Sequence, residues 1–261
     1  MYLPEILAHT RTVVAARKAA ADLHELERLA REHTPRGFAL ALRAKALHEP
    51  AIIAELKKAS PSKGLIRADF DPASLAAEMQ DAGAAVLSVL TDEKFFQGSL
   101  ENLRLASQAT TIPCLRKDFM VDPFQVVEAR ANRADAILLI VAALTDAELH
   151  TLRDEARRWE LDVLCEVHDA AELQRAVPLE CECVGVNSRD LRTFEVSLDR
   201  ACELASQLPE SAVRVAESGI HTREDMQRLR DAGYEAFLIG ESLMKQPSPG
   251  DALKQLLQAE A

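Results

Sequence analysis

The sequence predicts an α/β protein, a (β/α)8 TIM barrel with an N-terminal helical extension. Eight short apolar or β-branched runs follow Pro50, their starts lie about 21–33 residues apart, and helix-capping residues fall between them. Each interval has the length of one strand, one helix and two turns. Strands that alternate strictly with helices form a parallel sheet, and eight such units close into a barrel. The runs begin near Ile52, Ala85, Pro113, Ala136, Asp162, Cys183, Val213 and Glu235.

The first 49 residues precede this pattern and are predicted to be helical. Apolar residues recur there at helical spacing, with charged residues between them. Residues 34–37, Thr-Pro-Arg-Gly, interrupt the pattern, and a second short helix is predicted from Phe38 to Leu47. We expect residues 1–261 to form a single barrel domain, of which 1–49 is the extension. The extension is predicted either to cover the mouth of the barrel as a lid or to plug its bottom.

Capping residues delimit the predicted helices of the barrel. Asp71 is predicted to cap a helix that has Pro72 at its first position and stops at Gly83. Capping boxes are predicted at Thr145 to Glu148, Asp169 to Glu172 and Thr222 to Asp225, helix ends at Asn132 and Gly233, and a last helix over about 251–259. An open, doubly wound sheet is the alternative fold. It is disfavoured because no Gly-x-Gly-x-x-Gly turn follows the first strand.

Composition restricts the partners of the protein. Forty-two acidic and 31 basic residues give a formal net charge of −11 and a pI near 5.2. Nucleic acids and anionic membranes bind basic surfaces, so neither is expected as a partner, whereas a small phosphorylated molecule needs only local donors. The five cysteines are an odd number without a Cys-x-x-Cys pair, which indicates reduced thiols and a cytoplasmic protein. We expect a barrel with one activity, present as a monomer or a weak homodimer.

Charged and polar side chains stand at the ends of several predicted strands. Glu55 and Lys57 lie on the same strand face as Ile53, so a carboxylate and an ammonium are delivered to one place. Charges in line with core residues are costly unless they are paired or used. Each residue alone has an ordinary structural interpretation, and Glu217 is interpreted as support for its neighbours. Convergence at the catalytic end of a barrel indicates a site; its candidates are Glu55, Lys57, Lys117, Glu166, Asn187 and Glu217.

The seventh and eighth strands end in small residues that are typical of a phosphate site. Residues 218–220, Ser-Gly-Ile, follow the seventh strand, and residues 240–242, Gly-Glu-Ser, follow the eighth. Backbone N–H groups can approach an anion closely at glycines. A short helix is predicted over 241–244, with its N-terminus toward the anion. Each glycine alone also fits a plain turn, so this interpretation depends on the two strand ends together.

Six sequence motifs occur in a fixed order along the barrel. They are IAELKKASPS (53–62), VLTDEKFFQG (89–98), LRKDF (115–119), GVNSRDL (185–191), VAESGI (215–220) and LIGESLM (238–244). Together with the N-terminal helix they resemble the indole-3-glycerol phosphate synthase family, from about Ile6 to Gln246. The resemblance implies a carboxy-lyase of tryptophan biosynthesis. Its substrate would be 1-(2-carboxyphenylamino)-1-deoxyribulose 5-phosphate, and its products indole-3-glycerol phosphate, carbon dioxide and water, with no metal or cofactor.

The resemblance also implies where the substrate binds. The polar site of the family matches Glu55, Lys57, Lys117, Glu166, Asn187 and Ser218. Its aromatic pocket matches Phe96 and Phe119, with Leu138 and Leu191 as apolar lining, and its phosphate site matches Ser60, Gly219, Gly240 and Glu241. A carboxylate repels a phosphate. We therefore expect Glu241 to offer its backbone N–H and to turn its side chain away. The resemblance favours the lid placement of the N-terminal helices.

The chemistry assigns a role to each charged group. Ring closure needs an acid at the ketone oxygen and two reacting carbons held close together. We assign Lys117 as this acid and expect burial beside Lys57 to lower its pKa toward neutrality. Glu166 is expected to stabilise positive charge on the ring nitrogen or to carry a proton during dehydration. Glu55 and Lys57 are assigned to dehydration, and Asn187 to orienting a hydroxyl, while the division of roles within each like-charged pair stays open.

Two other functions remain open from the sequence. A Schiff-base aldolase would use a lysine near a phosphate site as its nucleophile, and borohydride would trap the covalent adduct. A barrel that only binds a phosphorylated metabolite would keep the glycines but would not need the acids and bases. The seven histidines show no metal-ligand spacing, and His168 and His221 are interpreted as helix-entry residues.

Overall fold

Eight parallel strands close into a barrel in the computed structural model, which describes residues 3–190 and 195–258. The barrel strands are β1 (Ala51–Leu56), β4 (Val86–Leu90), β5 (Cys114–Lys117), β6 (Ala136–Ile140), β7 (Asp162–Val167), β8 (Cys183–Asn187), β9 (Val213–Glu217) and β10 (Ala236–Ile239), and β2 (Ala59–Ser60) with β3 (Gly64–Leu65) forms a small hairpin after β1. Each barrel strand begins within one residue of its predicted start. β1 pairs with both β4 and β10, which closes the sheet. The barrel prediction is confirmed, and the doubly wound alternative is wrong.

Helices alternate with these strands. They are α1 (Leu3–Ala20), α2 (Leu23–Glu32), α3 (Phe38–Ala46), α4 (Pro72–Asp81), α5 (Glu93–Phe96), α6 (Leu100–Ala109), α7 (Phe124–Ala131), α8 (Asp146–Arg158), α9 (Ala170–Ala176), α10 (Leu198–Ala205), α11 (Arg223–Ala232), α12 (Glu241–Met244) and α13 (Pro249–Leu257). The helix predicted ahead of residue 34 is two helices, because the Asp22 carboxylate accepts hydrogen bonds from the N–H groups of His24 and Glu25 and starts α2. No helix in the described part of the chain is long and apolar enough to cross a membrane.

Most of the predicted capping residues cap their helices in the structure. Thr145 and Thr222 form reciprocal capping boxes, and Gly233 ends α11 in the left-handed conformation. The box predicted at Asp169 is only half formed. Asp169 accepts from the N–H of Glu172, but the Glu172 carboxylate accepts from the N–H of His168 instead of returning to Asp169.

The bottom of the barrel, at the strand N-termini, is plugged by α3. Phe38 and Leu42 are fully buried there, and α3 packs against β1, β4 and β9. The first turn of α3 is fixed because the N–H of Ala39 donates to the Asp162 carboxylate at 2.8 Å. The plug placement predicted for the extension is therefore correct for this helix.

The mouth of the barrel, at the strand C-termini, is covered by α1. Leu3 and Ile6 from its first turns line the cavity there, while Val14 packs on Val121 and Phe124. Ion pairs hold the outer side of the helix at Arg11–Glu148 (2.8 Å), Arg17–Glu128 (3.1 Å) and Lys18–Asp122 (2.9 Å). The lid placement is correct for α1, so the extension fills both predicted positions with different helices.

All five cysteines are free thiols, as the sequence predicts. Four are buried and the fifth is partly exposed. Burial raises the pKa of the Cys114 thiol to about 12. Protonated, enclosed thiols of this kind are part of the core and are poor nucleophiles.

Candidate active site

A cavity of about 200 Å³ opens at the mouth of the barrel. It brings together every predicted site residue within the described part of the chain: Glu55, Lys57, Ser60, Phe96, Lys117, Phe119, Leu138, Glu166, Asn187, Glu217, Ser218, Gly219, Gly240 and Glu241. Leu191, predicted as apolar lining, lies outside the described residues. No cluster of three or more metal-binding side chains occurs among residues 3–190 and 195–258.

Lys117 is the centre of the charged group. Its Nζ donates to Glu166 Oε2 at 2.7 Å and to Glu217 Oε2 at 2.9 Å. These three residues come from β5, β7 and β9, the third, fifth and seventh strands of the barrel. Side chains from alternate strands meet in one layer of such a barrel, and this geometry explains why residues about 50 and 100 positions apart converge on one ammonium.

The pKa expected for Lys117 is wrong in direction. Burial by itself lowers the pKa of the ammonium, but the carboxylates of Glu166 and Glu217 raise it above its usual value. Lys57, the neighbour expected to lower the pKa of Lys117, instead pairs with Glu55. Conversely, burial by itself raises the pKa of Glu166, and Lys117 and His168 bring it below its usual value. The resting site therefore holds an ammonium and a carboxylate as a stable ion pair.

The pKa of Glu217 is shifted in the opposite direction to that of Glu166. Burial, opposed by Lys117 and reinforced by the charge of Glu166, raises the pKa of Glu217 to about 7. Its Oε1 atom is buried and has no hydrogen-bond partner in the part of the chain that the structure describes. This atom packs against Gly185 on the neighbouring strand, where any Cβ would collide with it. Glu217 is thus close to its titration point at neutral pH.

Glu55 and Lys57 form a second ion pair on the other side of the cavity. Lys57 Nζ lies 2.5 Å from Glu55 Oε1, and both side chains are largely enclosed. Glu55 packs closely over Gly240, where a Cβ would lie 2.5 Å from its Oε1 atom. The glycine therefore lets a strand-end carboxylate approach the start of α12.

Two aromatic rings form the apolar wall of the cavity. Phe96 and Phe119 have their ring centroids 6.4 Å apart, and Leu138 from β6 adds aliphatic surface. Phe96 belongs to the one-turn helix α5, whose start is fixed by Asp92. The Asp92 carboxylate accepts from the N–H groups of Phe95 (2.6 Å) and Phe96 (3.3 Å). The two rings are tilted by 42° to each other and offer apolar contact surface to an aromatic ring.

The two predicted anion-binding turns lie side by side. Ser218 and Gly219 both have positive φ, 67° and 77°, and α12 begins directly after Gly240. The Glu241 side chain pairs with Lys245 at 2.5 Å. Burial by itself raises the pKa of Glu241, but Lys245 and more distant lysines bring it below its usual value. The negative charge of Glu241 is therefore matched by Lys245 and by Arg189, which lines the cavity and lies 3.9 Å from Glu241 Oε2.

Several cavity residues were missed from the sequence. Arg189, two residues beyond β8, supplies a further cation to the lining; its place in the GVNSRDL motif was an available signal. Leu3 and Ile6 reach the cavity only because α1 folds over the mouth. His168 does mark a helix entry, as predicted, but its ring also lies 3.4 Å from Glu166. The signal was its position two residues after Glu166, which strand alternation turns to the same side.

Comparisons with known proteins agree with this geometry. The sequence profile of the family described as indole-3-glycerol phosphate synthase matches residues 3–256. The chain belongs to this family. A member from Koribacter versatilis is 62% identical over 255 residues, which is 98% of each chain. A member from Acidithiobacillus ferrooxidans is 51% identical over 256 residues, which is 97% of each.

The indole-3-glycerol phosphate synthase family is one of carboxy-lyases of tryptophan biosynthesis. A solved structure outside the family, a thiamine phosphate pyrophosphorylase from Pyrococcus furiosus, superimposes with a TM-score of 0.61 at 16% identity. It covers 82% of this chain and 95% of its own length. At that identity the likeness concerns the barrel alone.

Proposed function

We propose that this chain converts 1-(2-carboxyphenylamino)-1-deoxyribulose 5-phosphate to indole-3-glycerol phosphate, carbon dioxide and water. The observation that carries the proposal is a set of three enclosed ion pairs in the cavity that Phe96 and Phe119 also line. They are Lys117–Glu166, Lys117–Glu217 and Lys57–Glu55. An intramolecular ring closure followed by dehydration needs such a set, because protons must be given and taken at two positions of one substrate. Membership of the family supports the same substrate.

Ring closure forms a bond between an aromatic carbon and the ketone carbon. The ketone oxygen takes a proton as it becomes a hydroxyl, and Lys117 is proposed as the donor. Its raised pKa means that it is fully protonated at neutral pH. An ammonium with a raised pKa is a weak acid. The main contribution of Lys117 is therefore a charged N–H donor placed where negative charge develops on the ketone oxygen.

Decarboxylation returns the electron pair of the broken carbon–carbon bond to the ring nitrogen, so the ring nitrogen is the electron sink. Glu166, held in its anionic form, is proposed to stabilise the positive nitrogen before carbon dioxide leaves. Dehydration then removes the hydroxyl with one proton and releases a second proton from the ring. Lys57 and Glu55 are proposed for these two transfers, and Asn187, whose Nδ2 donates to Glu166 Oε1 at 3.2 Å, for orienting a hydroxyl.

The phosphate is proposed to bind at the two turns after β9 and β10. Support comes from the backbone of Ser218, Gly219 and Gly240, which lines the cavity. The Ser60 hydroxyl adds a buried donor that has no hydrogen-bond partner among the described residues. Glu241 is proposed to contribute its backbone N–H. No metal or cofactor enters this scheme, and we propose a cytoplasmic enzyme that is a monomer or a weak homodimer.

The Schiff-base alternative fits the site less well. An imine requires a neutral amine as the nucleophile, whereas the carboxylates around Lys117 raise its pKa and keep it as an ammonium. Lys57 is likewise engaged by Glu55.

The direct test is indole fluorescence from the purified protein and the synthetic substrate. We expect indole-3-glycerol phosphate and carbon dioxide in equal amounts, and no mass increase of the protein after borohydride treatment with substrate present. Absence of indole product would refute the proposed function. A borohydride-trapped adduct on a lysine would favour the aldolase instead.

A further inference from the structure

His168 is an enclosed histidine for which the proposed chemistry has no role. It lies one residue beyond β7, and its side chain is 9% exposed. The ring stands behind Glu166, outside the set of residues that line the cavity. The ring is therefore placed to act on the reaction through Glu166, its neighbour on the cavity side.

The ring of His168 is fixed on one side and directed at Glu166 on the other. Its Nδ1 lies 3.0 Å from Glu172 Oε2, and its backbone N–H donates to the same oxygen at 2.8 Å. Its Nε2 is buried, lies 3.4 Å from Glu166 Oε1, and makes no hydrogen bond within residues 3–190 and 195–258. Hydrogen bonds in an unliganded active site are often long and tighten when substrate binds.

Glu166 is thereby held at both oxygens. Oε2 accepts from Lys117, while Oε1 faces Asn187 and the His168 ring. Burial by itself lowers the pKa of His168, but Glu166 and Glu172 raise it to about 10. The ring is therefore an imidazolium at neutral pH and supplies a second positive charge behind Glu166.

We propose that His168 is a positioning residue for Glu166: its ring, fixed by Glu172, orients the carboxylate and keeps it in the anionic form that the reaction uses. This inference rests on the proposed function, because it concerns the role of Glu166 in that reaction. The charged groups that face the ring are Glu166 from β7 and Glu172 from α9, and Lys117 and Glu217 lie beyond Glu166.

Two neutral replacements separate this role from a purely structural one. The amide nitrogen of glutamine can take the place of Nε2, facing Glu166, whereas that of asparagine can take the place of Nδ1, facing Glu172. We expect His168→Asn to lower kcat about tenfold, less than the roughly 10²–10⁴-fold supplied by a proton-transferring group itself. His168→Gln is expected to retain clearly more activity, with KM and Tm near the wild-type values in both.

The pH profile is the second readout. Without the imidazolium the pKa of Glu166 rises, so the acid limb of kcat is expected to move to higher pH in both variants. His150→Gln, an exposed histidine on α8, is the matched control and should leave kcat and its pH profile unchanged.

Two outcomes would overturn the inference. One is a wild-type kcat and pH profile in both His168 variants. The other is the reverse order of activities, with asparagine above glutamine and kcat following Tm, as expected if the ring only anchors the start of α9. A wild-type enzyme without activity in the same assay would instead refute the proposed function, so the two failures are distinguishable.

Discussion

Asp135 at the bottom of this barrel and Glu217 at its mouth are enclosed carboxylates whose pKa values are shifted in opposite directions. At the bottom, Asp135 is fully buried and accepts from the Arg36 guanidinium at 2.5 Å and from the N–H of Cys114 at 2.6 Å. Burial by itself raises the pKa of Asp135, but His33 and Arg36 bring it below its usual value. At the mouth, Glu217 and Glu166 share the single ammonium of Lys117. The pKa of Glu217 rises to about 7.

The difference shows that the number of hydrogen-bond donors around an enclosed carboxylate, and not its burial, decides its charge state. Asp135 receives enough donors to remain anionic, so it joins the strand N-termini to the segment before α3 as a permanent link. One oxygen of Glu217 lacks a hydrogen-bond partner within the described ranges, and with a pKa of about 7 its charge depends on pH near neutrality. A satisfied network stabilises the fold, and an under-satisfied one is available for proton transfer.

The largest expected effect comes from removing the cation at the mouth. Lys117→Met should lower kcat by about 10³-fold or more, since a general acid and its charge are lost together. The variant should stay folded, because Glu166 and Glu217 can take up protons. Indole fluorescence measures kcat, and circular dichroism checks the fold.

Lys45→Met is the matched control for this change. Lys45 lies on α3 at the bottom of the barrel and pairs with Glu49 at 2.6 Å. It should leave kcat unchanged. A Lys117→Met enzyme within tenfold of wild-type turnover would contradict the role given to the ammonium.

The bottom network should respond in the opposite way. Asp135→Asn leaves the Arg36 charge without its buried partner and is expected to lower the free energy of unfolding by about 3–5 kcal/mol. The kcat of the folded protein should stay close to wild type, because Asp135 lies at the other end of the barrel from the cavity. Urea denaturation measures the first quantity and indole fluorescence the second.

An exposed carboxylate tests whether burial is the cause. Asp199→Asn removes a surface partner of Arg228 and is expected to change stability by about 0.5 kcal/mol or less. If Asp135→Asn behaved like Asp199→Asn, or lowered kcat without lowering stability, the contrast between the two ends would be lost.

The smallest expected effect is a pH dependence that belongs to Glu217. Its pKa is raised on folding, so its contribution to stability is present below about pH 4.5 and is lost as pH rises through about 7. Glu217→Gln removes this loss. The stability of the variant relative to wild type should therefore increase between pH 5 and pH 8.5, by about 3 kcal/mol or less.

Thermal unfolding at several pH values measures this difference. The control is Glu210→Gln, an exposed glutamate before β9, whose Tm should follow wild type at every pH. A constant Tm difference between Glu217→Gln and wild type across the range would show that Glu217 has an ordinary pKa.

The sequence by itself determined the order and the starts of the eight strands and the strand-end side chains that reach the mouth. These properties follow from local rules, since strand alternation decides which side chains share a face, and capping residues delimit helices such as α4, α8 and α11. The same rules misplaced one boundary, because Asp22 restarts the helix that the apolar spacing alone would continue.

Only the tertiary structure decided the charge states and the placement of the extension. The pKa of Lys117 is raised by carboxylates from β7 and β9, and electrostatic effects depend on distances of a few ångströms that spacing along the chain does not contain. The charge of His168 was decided in the same way, because Glu166 and Glu172 raise its pKa to about 10. The placement of α1 at the mouth and α3 at the bottom was likewise decided by the closed barrel, because apolar spacing predicts a helix but not the end of the barrel that it covers.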